Sequence, residues 1–503
     1  MKTIIIPLTF ILTFNMISAA ETEEQLAMEL FTQMAFGNWV EVENICLKLA
    51  ELKPEDPDYI FELACVNSLL NKNEKALNYL DKSIELGYAN KKALGDDPNL
   101  KNIRRTKRFR ELSEKLDKKL EIRFKDEKIP LPELEKVLKT ELSKYLDENY
   151  KTPEDYVISK FADHDIVFLG EEHYIKQNVE LIHRLIPKLY ENGIYNLGIE
   201  FANKDDQPMI DSVIYADEYD DLLAQGVMLN CGVWGYREYV DILKAVWELN
   251  SSLSNAERKF RLIGLNVSMD WSHVKTREEL DRPEVRIKAW GKGSDYVMAH
   301  TIIDEMINKN EKGLVYAGSY HTFTKYFQPR YDVANPPKVI EFTKDRMGNL
   351  VYNKIEDKAF NIYLHGHWVN AKGWNEQYVY SADGVIDALM KTQDFPMGFD
   401  VINSPFGDLK GDSSFFKYGY DNFTLSNFCD GYIFLAPLSE LESVHWIENF
   451  VNETNYDIVK SIQQDPVFRN GTYDDKLLIF AVNATSYELR RESNIEWQYR
   501  IFE

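Results

Sequence analysis

Several apolar runs in this chain end in groups that can do chemistry. "DIVFL" leads into Gly170, Glu171, Glu172 and His173, "YNLGIE" ends on Glu200, and "RLIGLN" ends on Asn266. His321 follows "GLVYAGSY", and His365 and His367 follow "NIYL". A histidine flanked by carboxylates can be held in one tautomer and take a proton from water, which then attacks an ester, lactone or amide carbonyl. His173 is the candidate base, with Glu171 or Glu200 to orient it. His321 could donate to the developing oxyanion or protonate the leaving group, and Arg237 could neutralise an anionic substrate group. Glu172 reads as a solvated neighbour. No G-x-S-x-G occurs, which disfavours a serine nucleophile. The set Glu171, His173, Glu200 and His321 could alternatively hold manganese, iron or zinc with a position open for water, although no H-E-x-x-H helix is present.

Such groups need a scaffold that brings strand ends together. From Asp165 onward strands alternate with helices, so the expected fold is α/β, a three-layer domain around a largely parallel sheet. Its strands are predicted at "DIVFL", "YNLGIEF", "RLIGLNV", "GLVYA", "NIYLHG", "MGFDVI" and "GYIFLAPL". Between the first two, Ile175, Val179, Ile182, Ile186 and Leu189 recur at helical spacing until Asn192-Gly193 stops the helix. Late helices are expected from about Ser443 to Gln464. In such a sheet, ligands bind beyond the carboxyl ends of the strands, where the polar groups fall.

The region before this body is helical throughout. The segment from Phe36 overlays that from Leu70 at an offset of 34 residues, pairing Ile45 with Tyr79, Lys48 with Lys82 and Glu51 with Glu85. That is the period of tetratricopeptide-type repeats, and residues 21–120 resemble that family. Repeats of this kind serve docking, so a protein partner is expected there. Residues 121–150 read as a linker and a short helix, and residues 151–503 as one catalytic body.

The motifs carry a more specific resemblance. Gly170-Glu171-Glu172-His173, then Glu200-Phe201, then Gly318-Ser319-Tyr320-His321 follow in order the G-E-x-H, E-x-F and G-x-x-H signatures of one superfamily. It contains erythromycin esterases, ChaN-like haem-uptake proteins and Tiki-type metalloproteases. "WGYREYVDILKAVWELN", with Trp234, Glu238 and Asn250, is similar to a segment of the esterase branch. The resemblance implies that Glu171 and His173 lie in the first catalytic loop, Glu200 beside them, Glu238 on the facing helix and His321 across the cleft. A single residue separates Glu171 from His173, as in the ChaN-like branch, whereas the esterases have two. Asn266 stands where the esterase strand ends in aspartate. The Tiki branch implies a metal and the ChaN branch haem, for which Tyr363, Trp368 and Trp374 around "YLHGHW" would be the lining. A repeat-bearing scaffold without activity is the remaining alternative.

Bulk properties narrow the partners. Lys+Arg 59 against Asp+Glu 82 gives a net charge of −23, which repels nucleic acid and anionic membranes. "MKTIIIPLTFILTFNMISAA" has the pattern of a secretory signal with cleavage near Ala20, so a periplasmic or extracellular location is expected, with no integral membrane segment thereafter. Cys46, Cys65, Cys231 and Cys429 form no C-x-x-C and no zinc-ligand spacing. The partner implied for the catalytic body is a small molecule or a peptide.

Overall fold

The computed structural model describes Thr22–Phe502 apart from residues 277–278, 280–281, 332–337, 373–376, 394–395 and most of 463–498. The predicted signal segment and Trp374 lie outside the described residues. The chain forms two compact units, Met1–Glu127 with Val451–Glu488, and Lys128–Phe450 with Leu489–Glu503.

In the first unit, two helical hairpins follow one another: α1 Glu23–Ala35 with α2 Trp39–Leu52, then α3 Pro57–Leu69 with α4 Asn73–Glu85. The starts of α1 and α3, and those of α2 and α4, are separated by the same 34 residues that relate the sequence to itself. Lys91 and Lys107 open the next helical pair at that offset again. The periodicity has a physical cause. Ile45 and Leu49 of α2 and Ile60 and Leu63 of α3 share one buried cluster, so each hairpin completes its neighbour's core.

The second unit holds a seven-stranded sheet: β1 Ile166–Glu171, β2 Asn196–Asn203, β3 Arg261–Asn266, β4 Gly313–Gly318, β5 Ala359–Leu364, β6 Met397–Asp400 and β7 Gly431–Phe434. Their order is β6-β7-β5-β1-β4-β2-β3, parallel except for β6, which runs antiparallel to β7. All seven predicted strands are present, and the fold is α/β with a largely parallel sheet, preceded in the chain by a helical module. Strand β1 is buried along its whole length, because it sits mid-sheet with both faces covered. On one face Ile166 and Phe168 pack with Met298 and Ile302 of α7 Ser294–Glu305 and with Met347 and Val351 of α8 Met347–Ile355. Helices α5 Lys176–Glu191 and α6 Arg237–Ser252 also belong to this unit. Val179, Ile182, Ile186 and Leu189 form the buried stripe of α5, as their spacing requires.

The C-terminal reading needs one correction. Residues 443–446 are not helical. Ser443 and Trp446 bridge the backbones of Ile175 and Tyr236, and Asn449 takes φ 56°. The helix runs only over Tyr456–Ser461. Backbone pairing to two loops competes with helix formation here and wins. No helix of the described residues is long and apolar enough to cross a membrane.

Candidate active site

Parallel strands β1 and β4 are in register with Glu171 opposite Gly318, so the segments that follow, Glu172-His173 and Ser319-Tyr320-His321, leave the sheet side by side. Glu200 joins them from β2, the neighbour of β4. Four of the predicted residues, Glu171, His173, Glu200 and His321, therefore converge at one edge of the sheet.

Glu171 is buried at the end of β1. Its Oε1 accepts from the Tyr239 hydroxyl at 2.6 Å and faces His173 Nδ1 at 2.8 Å, while Oε2 accepts from the Tyr316 hydroxyl. Burial raises its pKa above the usual carboxylate value, against the lowering effect of these three donors. With Nδ1–H donated to Glu171, the His173 tautomer leaves Nε2 as the open, basic nitrogen. Burial works to lower the His173 pKa. The hydrogen bond and charge of Glu171, with Glu200 and Glu172 behind it, outweigh burial and raise it above the ordinary histidine value.

The imidazole is held sterically as well. Phe201 and Trp234 meet it edge-on at ring-centre distances of 5.6 and 5.3 Å. Tyr174, the next residue, adopts φ 71°, a costly conformation for an aromatic residue. Stacking on Trp234 at 5.1 Å and acceptance of the Val444 N–H by its carbonyl at 3.0 Å hold it there.

On the far side of Glu200, His321 lies between two carboxylates, with Nε2 3.2 Å from Glu200 Oε1 and Nδ1 2.7 Å from Asp295 Oδ1. Asp295 also accepts from the Met347 N–H at 2.8 Å and from Arg346 at 3.1 Å. Burial opposes a charge on His321, but Glu200 and Asp295 overcome it and push its pKa up to about 10. Burial likewise opposes ionisation of Glu200, yet His321, His173 and the Gly318 N–H at 2.7 Å hold it down at about 2. The wall facing His173 is thus a fixed carboxylate–imidazolium–carboxylate array that stays charged across the neutral range.

Gly318 fits this arrangement because it has no side chain. A Cβ there would lie 2.7 Å from His173 Cε1, 3.0 Å from its Nε2 and 3.4 Å from Glu200 Oε2. Gly318→Ala is expected to displace the imidazole and reduce turnover on the order of 100-fold, since a displacement of about 1 Å costs that much. Steady-state kinetics beside an unchanged circular dichroism spectrum checks it.

The other predicted residues lie elsewhere. Arg237 is committed to Asp221 at 2.7 and 3.2 Å and to Asp241 at 3.2 Å, which leaves it poorly placed to meet an anionic substrate. Glu238 binds the ring and backbone N–H of His445 at 2.5 and 2.8 Å and is not brought to the cluster. The residue of α6 that reaches the site is its neighbour Tyr239. His365 is a core histidine, with Nδ1 2.6 Å from the Tyr432 hydroxyl and Nε2 3.1 Å from Asp387. His367 bonds to Tyr499 at 2.5 Å, packs against Tyr378 in a tilted arrangement with ring centres 3.7 Å apart, and is held neutral by burial, which lowers its pKa to about 3. Tyr363 and Trp368 belong to the hydrophobic core. Asn266 accepts its neighbour's N–H and faces Cys231. Among the described residues no three His, Cys, Asp or Glu side chains converge as a metal-binding set. The four predicted ligands are engaged with one another and with tyrosines instead.

Glu172 corrects the sequence reading. It is half-buried rather than solvated, and its Oε1 accepts from Ser319 Oγ at 2.8 Å. Asp295, Arg346, Tyr239 and Tyr316 were not foreseen. The only trace of Asp295 in the sequence is an acidic residue at the start of a helical pattern.

Comparison with known proteins agrees with the motifs. No curated protein matches the chain. A Bacillus cereus protein of solved structure is 12% identical over 59% of this chain and 97% of its own, with a TM-score of 0.35. A succinoglycan biosynthesis protein is 13% identical over 62% of this chain and 100% of its own, with a TM-score of 0.40. The type III effector HopBA1 is 14% identical over 47% of this chain and 93% of its own, with a TM-score of 0.28. Likeness this remote says nothing of activity. The family model described as "Haem-binding uptake, Tiki superfamily, ChaN" matches residues 157–290, the stretch that carries Glu171, His173 and Glu200, and the α/β unit resembles that superfamily.

Proposed function

We propose that the protein is an exported hydrolase that uses a water activated by His173 to cleave an ester, lactone or amide bond in a small molecule or peptide. The supporting observation is the Glu171–His173 pair. A buried carboxylate clamped by two tyrosine hydroxyls holds Nδ1 of a half-buried imidazole at 2.8 Å and leaves Nε2 open. That is the geometry of a general base, whose contribution in enzymes is typically 10²–10⁴-fold. His321, with both ring nitrogens on carboxylates, serves to hold Glu200 ionised beside His173. Asp295 fixes its orientation, as the third member of a catalytic triad does for its histidine.

Two further roles come from the superfamily description. Haem would need an unengaged axial ligand beside an apolar slot; His365 and His367 are both bonded and packed, which leaves His173 Nε2, beside Phe201 and Trp234, as the nitrogen that would face it. A metal-dependent reaction would need the donors released from their present pairs. No step is routed through either group. The helical repeats are assigned to docking a protein partner.

The test is turnover of a panel of esters, lactones and amides by the full chain. Hydrolysis should show an acid limb as His173 loses its proton. Absence of hydrolysis across the panel, together with a Soret band on haem titration, would replace this reading with haem binding.

A further inference from the structure

Residues 442–447 form a strap that pairs first with one site loop and then with another. Its first half pairs with the loop after His173. Lys176 N–H donates to the Glu442 carbonyl at 2.8 Å, Ser443 bridges Ile175, and Val444 N–H donates to the Tyr174 carbonyl at 3.0 Å. Its second half pairs with the loop after Trp234. Arg237 N–H donates to the His445 carbonyl at 2.7 Å, Trp446 bridges Tyr236, and Ile447 N–H donates to the Gly235 carbonyl at 2.9 Å. The approach requires glycine at 235, where a Cβ would stand 2.5 Å from the Phe450 ring and 2.9 Å from Trp446. Lys176 and Arg237 open α5 and α6, so the strap also takes up N–H groups that a helix start leaves without an internal partner. His173 and Trp234 stand immediately before the two paired stretches, and their ring centres lie 5.3 Å apart. The spacing of the candidate base from its aromatic wall is therefore set by a third segment.

Glu238 stands outside the Glu171–His173 cluster, yet its carboxyl is only 10% exposed. Both oxygens close on one strap residue: Oε2 accepts the His445 backbone N–H at 2.8 Å, and Oε1 meets His445 Nδ1 at 2.5 Å. The His445 imidazole is 62% exposed, and a pairing made at the surface contributes little. The bond to the backbone N–H therefore carries most of the anchoring. From there the connection to the base is short. His445 is followed backwards along the chain by Val444, whose N–H holds the carbonyl of Tyr174, the residue after His173. Tyr174 keeps its φ of 71° only while such contacts hold it, and on release it relaxes and takes the imidazole with it. Resting on the hydrolytic reading, we infer that Glu238 is a positioning residue for His173, acting through the strap and not on the substrate.

The experiment compares Glu238→Ala, Glu238→Gln and His173→Ala in the full chain, by ester turnover and by amide hydrogen exchange. Glu238→Ala should lower kcat on the order of 10- to 100-fold and leave KM within about threefold of the parent, because a base out of place slows the step without weakening binding. Exchange should quicken by about tenfold or more in peptides spanning 173–178 and 440–447, and stay unchanged in β1 and β4, which marks a local opening. Glu238→Gln keeps an oxygen for the His445 N–H, so its kcat should return to within about threefold of the parent and its exchange to the parent pattern. Parent kcat in Glu238→Ala beside a large loss in His173→Ala would overturn the positioning role and leave hydrolysis standing. So would a glutamine variant as slow as alanine, which would mean that the carboxylate itself is needed, or faster exchange throughout the sheet, which would mean a general loss of stability. Undiminished turnover in His173→Ala would instead remove the hydrolytic reading, and this inference with it.

Discussion

His173→Ala is expected to lower kcat on any substrate of the panel by roughly 10²–10⁴-fold, the usual contribution of a general base, while the protein stays folded. Folding should survive because the imidazole side chain is 35% exposed and fills no core void. The variant leaves Glu171 with its two tyrosine donors, so the buried carboxylate is not stranded. His173→Gln should be as inactive, since an amide can occupy the aromatic enclosure without basicity. The pH profile separates this from a structural role. Glu171 raises the His173 pKa above 6.5, and the neutral form is the active one, so kcat/KM should climb through that raised value. Glu171→Gln removes the supporting charge and should move the climb to lower pH and lower the plateau.

The second large effect is on stability. Removing His321 leaves Glu200 and Asp295 as carboxylates in a largely buried site without their shared cation. Breaking a buried pair in this way costs about 3–5 kcal/mol. His321→Ala should show that loss in urea denaturation near pH 7. The sign of the pH dependence follows from the two shifts. Glu200 falls from 4.5 to about 2 on folding, so its contribution is present above 4.5 and is lost as pH falls toward 2. His321 rises from 6.5 to about 10, so its contribution is complete below 6.5 and disappears as pH rises through 10. Stability from this array should therefore be flat between about 4.5 and 6.5 and decline on the alkaline side. His321→Ala should abolish the alkaline decline, and an unchanged alkaline slope would count against the array.

The sheet was legible in the sequence because strands covered on both faces must be nearly continuous apolar runs. β1, with every residue buried, is the clearest case. Strand ends were legible for the same reason: Glu171, Glu200 and His321 stand out where apolar runs stop. Side-chain direction was harder to read. Successive residues alternate faces leaving a strand, so Glu171 and His173 share one side and Glu172 takes the other. On α6 each residue turns about 100°, which carries Glu238 to His445 and brings Tyr239 to Glu171. Asp295 reaches His321, and Arg346 reaches Asp295, from two helix starts far apart in sequence, and no local pattern records such a meeting. Residues 443–446 have helix-compatible composition, but their backbone groups pair with Ile175 and Tyr236, a tertiary competitor invisible to periodicity.

The central claim is that the Glu171–His173 pair activates water through its own hydrogen bonds. Its most direct test is ester and lactone turnover by protein exhaustively stripped with a chelator, with metal content measured on the same sample. The account predicts that stripped protein retains the parent rate and the His173-dependent acid limb. Loss of turnover on stripping, restored by a divalent transition metal, would contradict it.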